Sequence, residues 1–150
     1  MIVYRIVHAE FANKIVASGR PARWNSAGTF VVYTASSRSL ACLENLVHRS
    51  SEGLNAQFRT LVIEIPETIV IEEVTVNDLP KNWPSFKSQL QTRHMGDKWA
   101  VTQETCVLRV PSVIIPEESN YLINPQHLDF KKIKLLATEE FLFDNRFKSI

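Results

Sequence analysis

Short stretches of alternating or β-rich character dominate this chain, and a helical period is clear in only one place. Met1–Val7 is rich in β-formers and predicts a strand, as does Thr29–Thr34 (TFVVYT). Phe58–Ile65 (FRTLVIEI) alternates and stops at Pro66, and Thr68–Val76 (TIVIEEVTV) predicts a further strand. Cys106–Val110 predicts a short strand ahead of Pro111, with Val113–Ile115 extending it past a kink. Ile133–Leu136 and Phe141–Phe143 read as closing strands. A short helix is expected over Phe11–Ser18, stopped by Gly19 and Pro21. Ser36 and Ser37 offer N-caps for a helix reaching about His48, with Leu40, Leu43 and Val47 as its buried stripe. Leu79–Pro84 is a turn, and two separate short helices are expected over Ser85–Arg93 and Lys98–Thr105. Many short strands with few helices argue for an α+β fold, and the strand–helix alternation of a doubly wound sheet is missing.

Neither repeat nor linker divides the chain, and 150 residues fit one domain, here residues 1–150. Hydrophobic residues are 45% and charged residues 22%, which argues against disorder, collagen and coiled coil. Seventeen Lys and Arg against sixteen Asp and Glu leave a net charge of +1. That balance disfavours direct nucleic-acid binding, which usually needs a large positive excess. Cys42 and Cys106 stand far apart, with no C-x-x-C and no zinc-ligand spacing, so no metal site is expected. They read as small buried hydrophobes in a reducing compartment. The opening MIVYRIVHAEF lacks the basic and apolar regions of a signal peptide, and no apolar run is long enough to span a bilayer. The expectation is a soluble cytoplasmic protein with no membrane contact.

Three places carry side chains that the pattern does not explain. Glu44 falls between Leu40, Leu43 and Val47, on the face expected to be buried. It is either an edge residue reaching water or an arginine, or a carboxylate aimed into a cleft. Gly19–Gly28 (GRPARWNSAG) gathers two arginines, a tryptophan, an asparagine and two glycines ahead of a strand. Arginine suits phosphate and an aromatic ring suits a flat base, although a plain loop with an anchored Trp has the same composition. The segment is neither a Walker A loop nor a dinucleotide-binding glycine fingerprint. Val110–Asn124 carries Ser112 just after a proline, without the G-x-S-x-G of a hydrolase nucleophile. The four histidines, at 8, 48, 94 and 127, show no H-E-x-x-H spacing.

Taken together, YRI near the start, GRPARWNSAG–TFVVYTASSRSLACLE, GDKWA and VPSVIIPEESNYLINPQH resemble the RES domain, a family named for Arg, Glu and Ser. The similarity runs from about Tyr4 to about Arg146. It implies an ADP-ribosyltransferase-like split β-sheet with flanking short helices. It also implies the toxin half of a bacterial type II toxin–antitoxin system. The implied reaction is cleavage of the nicotinamide–ribose bond of NAD, by hydrolysis or phosphorolysis, depleting NAD and arresting growth. NAD is then a substrate, phosphate a candidate co-substrate, and no cofactor is required. Carried over by motif, the catalytic residues are Glu44, Arg23 and Tyr33, and Arg5, Arg23, Tyr33 and Ser112 bind NAD. The implied partner is an Xre-type helix-turn-helix antitoxin that makes the DNA contact, and a homodimer within that complex is compatible with the resemblance.

These residue types suit the implied chemistry. Loss of nicotinamide leaves an oxocarbenium-like ribose, which a carboxylate such as Glu44 stabilises. Arg23 suits the pyrophosphate, Tyr33 the nicotinamide ring, and the Ser112 hydroxyl the ribose or the carboxamide. An ADP-ribosyltransferase modifying a protein would break the same bond. A ribonuclease toxin would rely on histidines and basic residues, which are scattered and few here. A non-catalytic interaction module would leave Glu44 and the Arg–Trp–Asn loop unexplained.

Overall fold

In a computed structural model, which describes residues 1–48 and 57–149, the chain forms one seven-stranded sheet with two α-helices. The strands are β1 (Ile2–His8), β2 (Val32–Ala35), β3 (Phe58–Glu64), β4 (Ile71–Glu73), β5 (Val107–Pro111), β6 (Ser119–Ile123) and β7 (Lys134–Phe141). Their order is β4-β5-β6-β2-β1-β3-β7, antiparallel throughout except for β4 beside β5. The α+β expectation holds. The feature that matters most lies at the middle of the sheet. β1 pairs with β3 from Ile2–Glu64 to His8–Phe58, whereas β1 and β2 share one register pair, Tyr4 opposite Ala35. The sheet is therefore nearly split into two halves.

Alternation along the strands sends Val3, Val32, Leu61, Ile63, Val107 and Ile123 to one face. Ala12, Ile15, Ala17, Ile69 and Ile133 cover that face. The other face carries two separate apolar clusters. Ile6, Ala35, Phe58 and Phe143 pack under helix α1 (Arg38–His48) through Leu40 and Ala41. Leu108, Val110 and Leu122 pack against Trp24, Trp83 and, from helix α2 (Gln89–Thr102), Trp99 and Ala100. The first of these clusters takes Ile6 from β1 and Ala35 from β2 and so bridges the seam at its paired end.

Several elements differ from the sequence reading, each for a local reason. Phe11–Ser18 is not a helix. A 3₁₀ turn over Ala9–Phe11 leads into an extended segment whose Ala12, Ile15 and Ala17 are drawn onto the sheet. Only Ile71–Glu73 of the Thr68–Val76 stretch pairs, because Thr75 starts a new turn, its amide and hydroxyl both donating to Asp78 at 2.7 Å. Val113–Ile115 does not extend β5. Ser112 Oγ accepts from the amides of Ile114 and Ile115 at 3.0 and 3.2 Å and curls the chain away. β6, to which the pattern assigns no element, pairs with both β2 and β5. The two closing strands are one bulged edge strand, β7, in which Leu136 falls outside the register between Ala137 and Leu135. The expected stripe of α1 is rotated. Leu40 and Ala41 are buried while Val47 is 65% exposed. Of the two cysteines, Cys106 is buried and Cys42 half-buried.

The two helices expected over Ser85–Arg93 and Lys98–Thr105 are one, α2, running through Gly96 and opened by a 3₁₀ turn over Phe86–Ser88. Glycine is needed there for space. A Cβ at Gly96 would stand 1.8 Å from the carbonyl oxygen of Trp24. No helix among the described residues is long and apolar enough to cross a membrane.

Gly96→Ala sets two effects against each other. Alanine favours helix by about 1 kcal/mol, but this overlap with backbone oxygen exceeds anything a rotamer change relieves. The expected net result is a loss of roughly 1–3 kcal/mol, a fall of several degrees in Tm. An unchanged or raised melting temperature by circular dichroism would show that the Trp24 loop does not rest on α2.

Candidate active site

Beyond the Tyr4–Ala35 pair, β1 and β2 part, and a cavity of about 320 Å³ opens there. Tyr4, Arg5 and Ile6 of β1 border it together with Tyr33, Thr34 and Ala35 of β2. Three consecutive residues of one strand do not reach the same space over an intact sheet, because their side chains alternate in direction. The gap between the strands is what admits them. Helix α1 contributes Ala41, Glu44, Asn45 and His48, an i, i+3, i+4, i+7 set on one face. Asn120 enters from β6, and Ser18, Arg20, Pro21 and Ala22 form the rim.

The α1 face is set at the first turn. Ser37 Oγ accepts from the Leu40 amide at 3.1 Å, and Leu40 then anchors the helix in its apolar cluster. Glu44 lies one turn after Leu40 and meets the cavity at its boundary with the core. Its side chain retains 22% exposure. Ser112 Oγ donates to Glu44 Oε1 at 2.9 Å, and Asn120 Nδ2 donates to the same oxygen at 2.6 Å. His48 Nε2 stands 3.5 Å from Oε2, one helical turn on. Burial works to raise the pKa of Glu44, but the bonds from His48, Asn120 and Ser112 outweigh it and hold the carboxyl below its ordinary value. The group is thus a carboxylate at neutral pH.

Arg5 is the opposite charge on the cavity wall. Its Nη1 is buried without a hydrogen-bond partner, and burial lowers its pKa to about 10, with Tyr33 opposing that shift. It still carries its proton at neutral pH. Asn45 Oδ1 and Asn120 Oδ1 are likewise buried and unpartnered, while Asn45 Nδ2 donates to the Ile6 carbonyl at 3.2 Å. Unsatisfied polar atoms of this kind are few in native proteins and tend to mark functional places.

The Arg–Trp–Asn loop is clamped rather than free. From α2, Thr92 Oγ1 donates to the Arg23 carbonyl at 2.7 Å and Arg93 Nε to the Ala22 carbonyl at 2.7 Å. Asp97 accepts from the amide and hydroxyl of Ser26 at 2.8 and 2.5 Å. Fully buried Asn25 donates to the carbonyls of Arg20 and Thr29 at 2.8 and 2.9 Å. Tyr33 ties this loop to β2, its hydroxyl donating to Asn25 Oδ1 at 2.7 Å and accepting from the Trp24 amide at 3.1 Å. Burial pushes the Tyr33 hydroxyl well above its usual range, so it remains a neutral donor.

The five residues singled out by motif occupy three kinds of position. Glu44, Arg5 and Tyr33 line the cavity. Ser112 sits behind Glu44, fully buried, with its proton donated to the carboxylate. That geometry lets it position Glu44. Arg23 is not on the wall. Its Nη1 and Nη2 donate to the Trp83 and Pro84 carbonyls at 3.0 and 3.2 Å. Burial lowers its pKa, against a raising influence from Glu44. Arg20, Asn45, His48 and Asn120 are cavity residues to which the sequence reading assigned no role in the site. The i, i+1 and i+4 positions of Asn45 and His48 relative to Glu44 are a signal that could have found two of them.

Comparison with known proteins agrees with this architecture. The RES domain family model matches residues 2–144. A protein of Sphingobium sp. (strain YBL2) named Prs ADP-ribosylating toxin is 44% identical over 126 residues, 83% of this chain and 78% of that protein. A Yersinia enterocolitica protein named Toxin Res is 34% identical over 153 residues, 99% of this chain and all of that one. The crystal structure of the M. tuberculosis MbcT–MbcA toxin–antitoxin complex shares the fold, with a TM-score of 0.76 at 14% identity, over 94% of this chain and 84% of that chain. With the family model matched across nearly its whole length and relatives this similar end to end, the chain belongs to the RES domain family.

Proposed function

We propose that the chain is the toxin of a toxin–antitoxin pair and that it cleaves the nicotinamide–ribose bond of NAD in this cavity. The observation that carries the reading is one polar cavity holding an ionised carboxylate, Glu44, and a guanidinium, Arg5, whose buried Nη1 has no hydrogen-bond partner among the described residues. A dinucleotide with a cationic ring at one end and phosphates beyond its sugar complements that pairing. The family membership and the toxin names of the relatives support it.

In this mechanism the C–N bond breaks heterolytically and its electron pair goes to the ring nitrogen, which leaves as neutral nicotinamide. Positive charge develops on the ribose, and Glu44 stabilises it electrostatically from a fixed position. Ser112 and Asn120 fix that position without neutralising the charge. The Tyr33 ring offers a face for nicotinamide, and its hydroxyl keeps the rim in place. Water or phosphate then adds to the sugar carbon and releases a proton. The name of the Sphingobium relative favours a second reading, in which a protein side chain is the acceptor. NAD lost with only buffer and phosphate present supports the first reading, and ADP-ribose found on a protein supports the second. ADP-ribose as product means hydrolysis, and ADP-ribose-1″-phosphate means phosphorolysis. An Xre-type antitoxin is the partner this reading supplies, and DNA contact then belongs to that partner, in keeping with the net charge of +1.

Glu44→Gln removes the charge and keeps the shape. The expected outcome is a fall in NAD turnover of roughly 10²-fold or more, about 3 kcal/mol of transition-state stabilisation, with loss of toxicity and little change in Tm. A folded variant retaining most of its rate would defeat the catalytic assignment.

The pH dependence follows from the lowered pKa of Glu44. A depressed folded pKa stabilises the fold above the unfolded carboxyl value of about 4.3, and that contribution is lost as pH falls through the folded pKa. Ionised Glu44 is the active form, so kcat should stay level from pH 8 to about pH 5 as far as this group is concerned. An acid limb centred near pH 6–7 that disappears in Glu44→Gln would contradict the lowered pKa.

A further inference from the structure

Arg20 lines the cavity at its rim, is exposed, and has no ion-pair partner among the described residues. We infer that Arg20 is a second guanidinium, at the rim of the cavity whose wall carries Arg5, that grips the diphosphate of the dinucleotide, an inference that rests on the NAD-cleaving reading above and makes its phosphate subsite specific. By motif that task falls to Arg23, but two of its guanidinium nitrogens are committed to the carbonyls of Trp83 and Pro84, and it stands over the Trp83 ring at 5.9 Å. A guanidinium used in this way closes the loop against the segment before α2 and has less to offer a ligand.

The base from which Arg20 springs is rigid. Its carbonyl accepts from Asn25 Nδ2 at 2.8 Å, and its amide donates to Ser18 Oγ at 3.2 Å. Just before it, the Gly19 carbonyl accepts from the Gly28 amide at 2.9 Å, closing the neck of the loop. Gly19 has φ +69°, and a Cβ there would stand 2.9 Å from the Phe30 ring, so the turn that presents Arg20 calls for glycine. Asn25 in turn is held by the Tyr33 hydroxyl. A long side chain on a fixed base loses less on binding than one on a mobile loop. The electrostatics point the same way. Arg93 and Arg23 flank the loop, and the Asp97 carboxylate is engaged by Ser26. Glu44 lies on α1, apart from this loop, and of the loop arginines Arg20 is the one that borders the cavity, so its charge stands at the rim away from the carboxylate. A sugar developing positive charge fits the carboxylate, and a doubly charged diphosphate accepting a bidentate guanidinium fits Arg20.

The test is calorimetric binding of ADP-ribose to the full chain and to Arg20→Gln, Arg20→Lys and Arg146→Gln, with NAD kinetics on the same proteins. Arg146 is exposed and pairs with Asp144, so its variant removes one positive charge elsewhere on the surface. Arg20→Gln is expected to weaken ADP-ribose binding about tenfold or more and to raise the KM for NAD by a similar factor, with kcat within about threefold, the signature of lost uniform binding. Arg20→Lys should recover part of the loss, since it keeps the charge and forfeits the bidentate fork. Arg146→Gln should match the wild type. Equal affinity in Arg20→Gln, or an equal loss in Arg146→Gln, overturns the assignment of Arg20. Wild-type protein that binds ADP-ribose without cleaving NAD overturns the catalytic reading, while the affinity comparison still decides Arg20. Failure of the wild type to bind ADP-ribose overturns both.

Discussion

An antiparallel sheet satisfies its backbone by closing every gap between neighbouring strands, and a closed sheet leaves no room inside for a polar ligand. In this chain that rule is relaxed at one seam. β1 and β2 meet at Tyr4 and Ala35 and are otherwise apart, while every other junction in the sheet is paired over three residues or more. The two halves stay together because the apolar cluster on the face opposite α1 takes Val3 and Leu61 from one and Val32, Val107 and Ile123 from the other, while the cluster under α1 joins Ile6 to Ala35. The rest of the seam is then free to hold charge. Arg5, from the interior of β1, could not be accommodated as a cation within a continuous hydrophobic layer.

The balance of charge at the seam follows from the same geometry. Glu44 carries a negative charge in a partly desolvated place without a lysine or arginine bonded to it. Neutral donors on β6 and on the bend after β5, together with His48, do that work. Hydrogen bonds from the neutral donors Ser112 and Asn120 help keep the carboxylate ionised without cancelling its field, which a salt bridge to lysine or arginine would do. Arg5 is handled the other way, with burial left partly uncompensated. Arg5 is thereby less satisfied than a purely structural residue would be, whereas the three partners of Glu44 outweigh its burial.

How much of this can be read in the chain depends on where each signal is written. Glu44 stands out because a carboxylate on a helix stripe is a local contradiction, and Gly19–Gly28 stands out because its composition is odd for a connector. The strands β1, β3 and β5 are marked by their own apolar content. β6 is not, since it opens with two polar residues, Ser119 bonded to Arg109 and Asn120 facing the cavity. β7 is hard to see for the opposite reason. As an edge strand it is exposed along much of its length, so the alternation that reveals a half-buried strand is weak. The two helices expected on either side of Gly96 are one, and the glycine is the place where a loop carbonyl touches the helix. Arg20 and Arg23 cannot be told apart by residue type. Only the carbonyls of Trp83 and Pro84, sixty residues away in sequence, separate their roles.

The clamp of α2 on the Arg–Trp–Asn loop also sets an order of events in folding. The loop ends by residue 28, but the side chains that hold it are Thr92, Arg93 and Asp97, and the residues that hold Glu44 are Ser112 and Asn120. Contacts this distant along the chain form late, after the local hairpins and turns. The site is therefore assembled only when β6 has been made and docked, and until then the carboxylate and the arginines lack the frame that orients them.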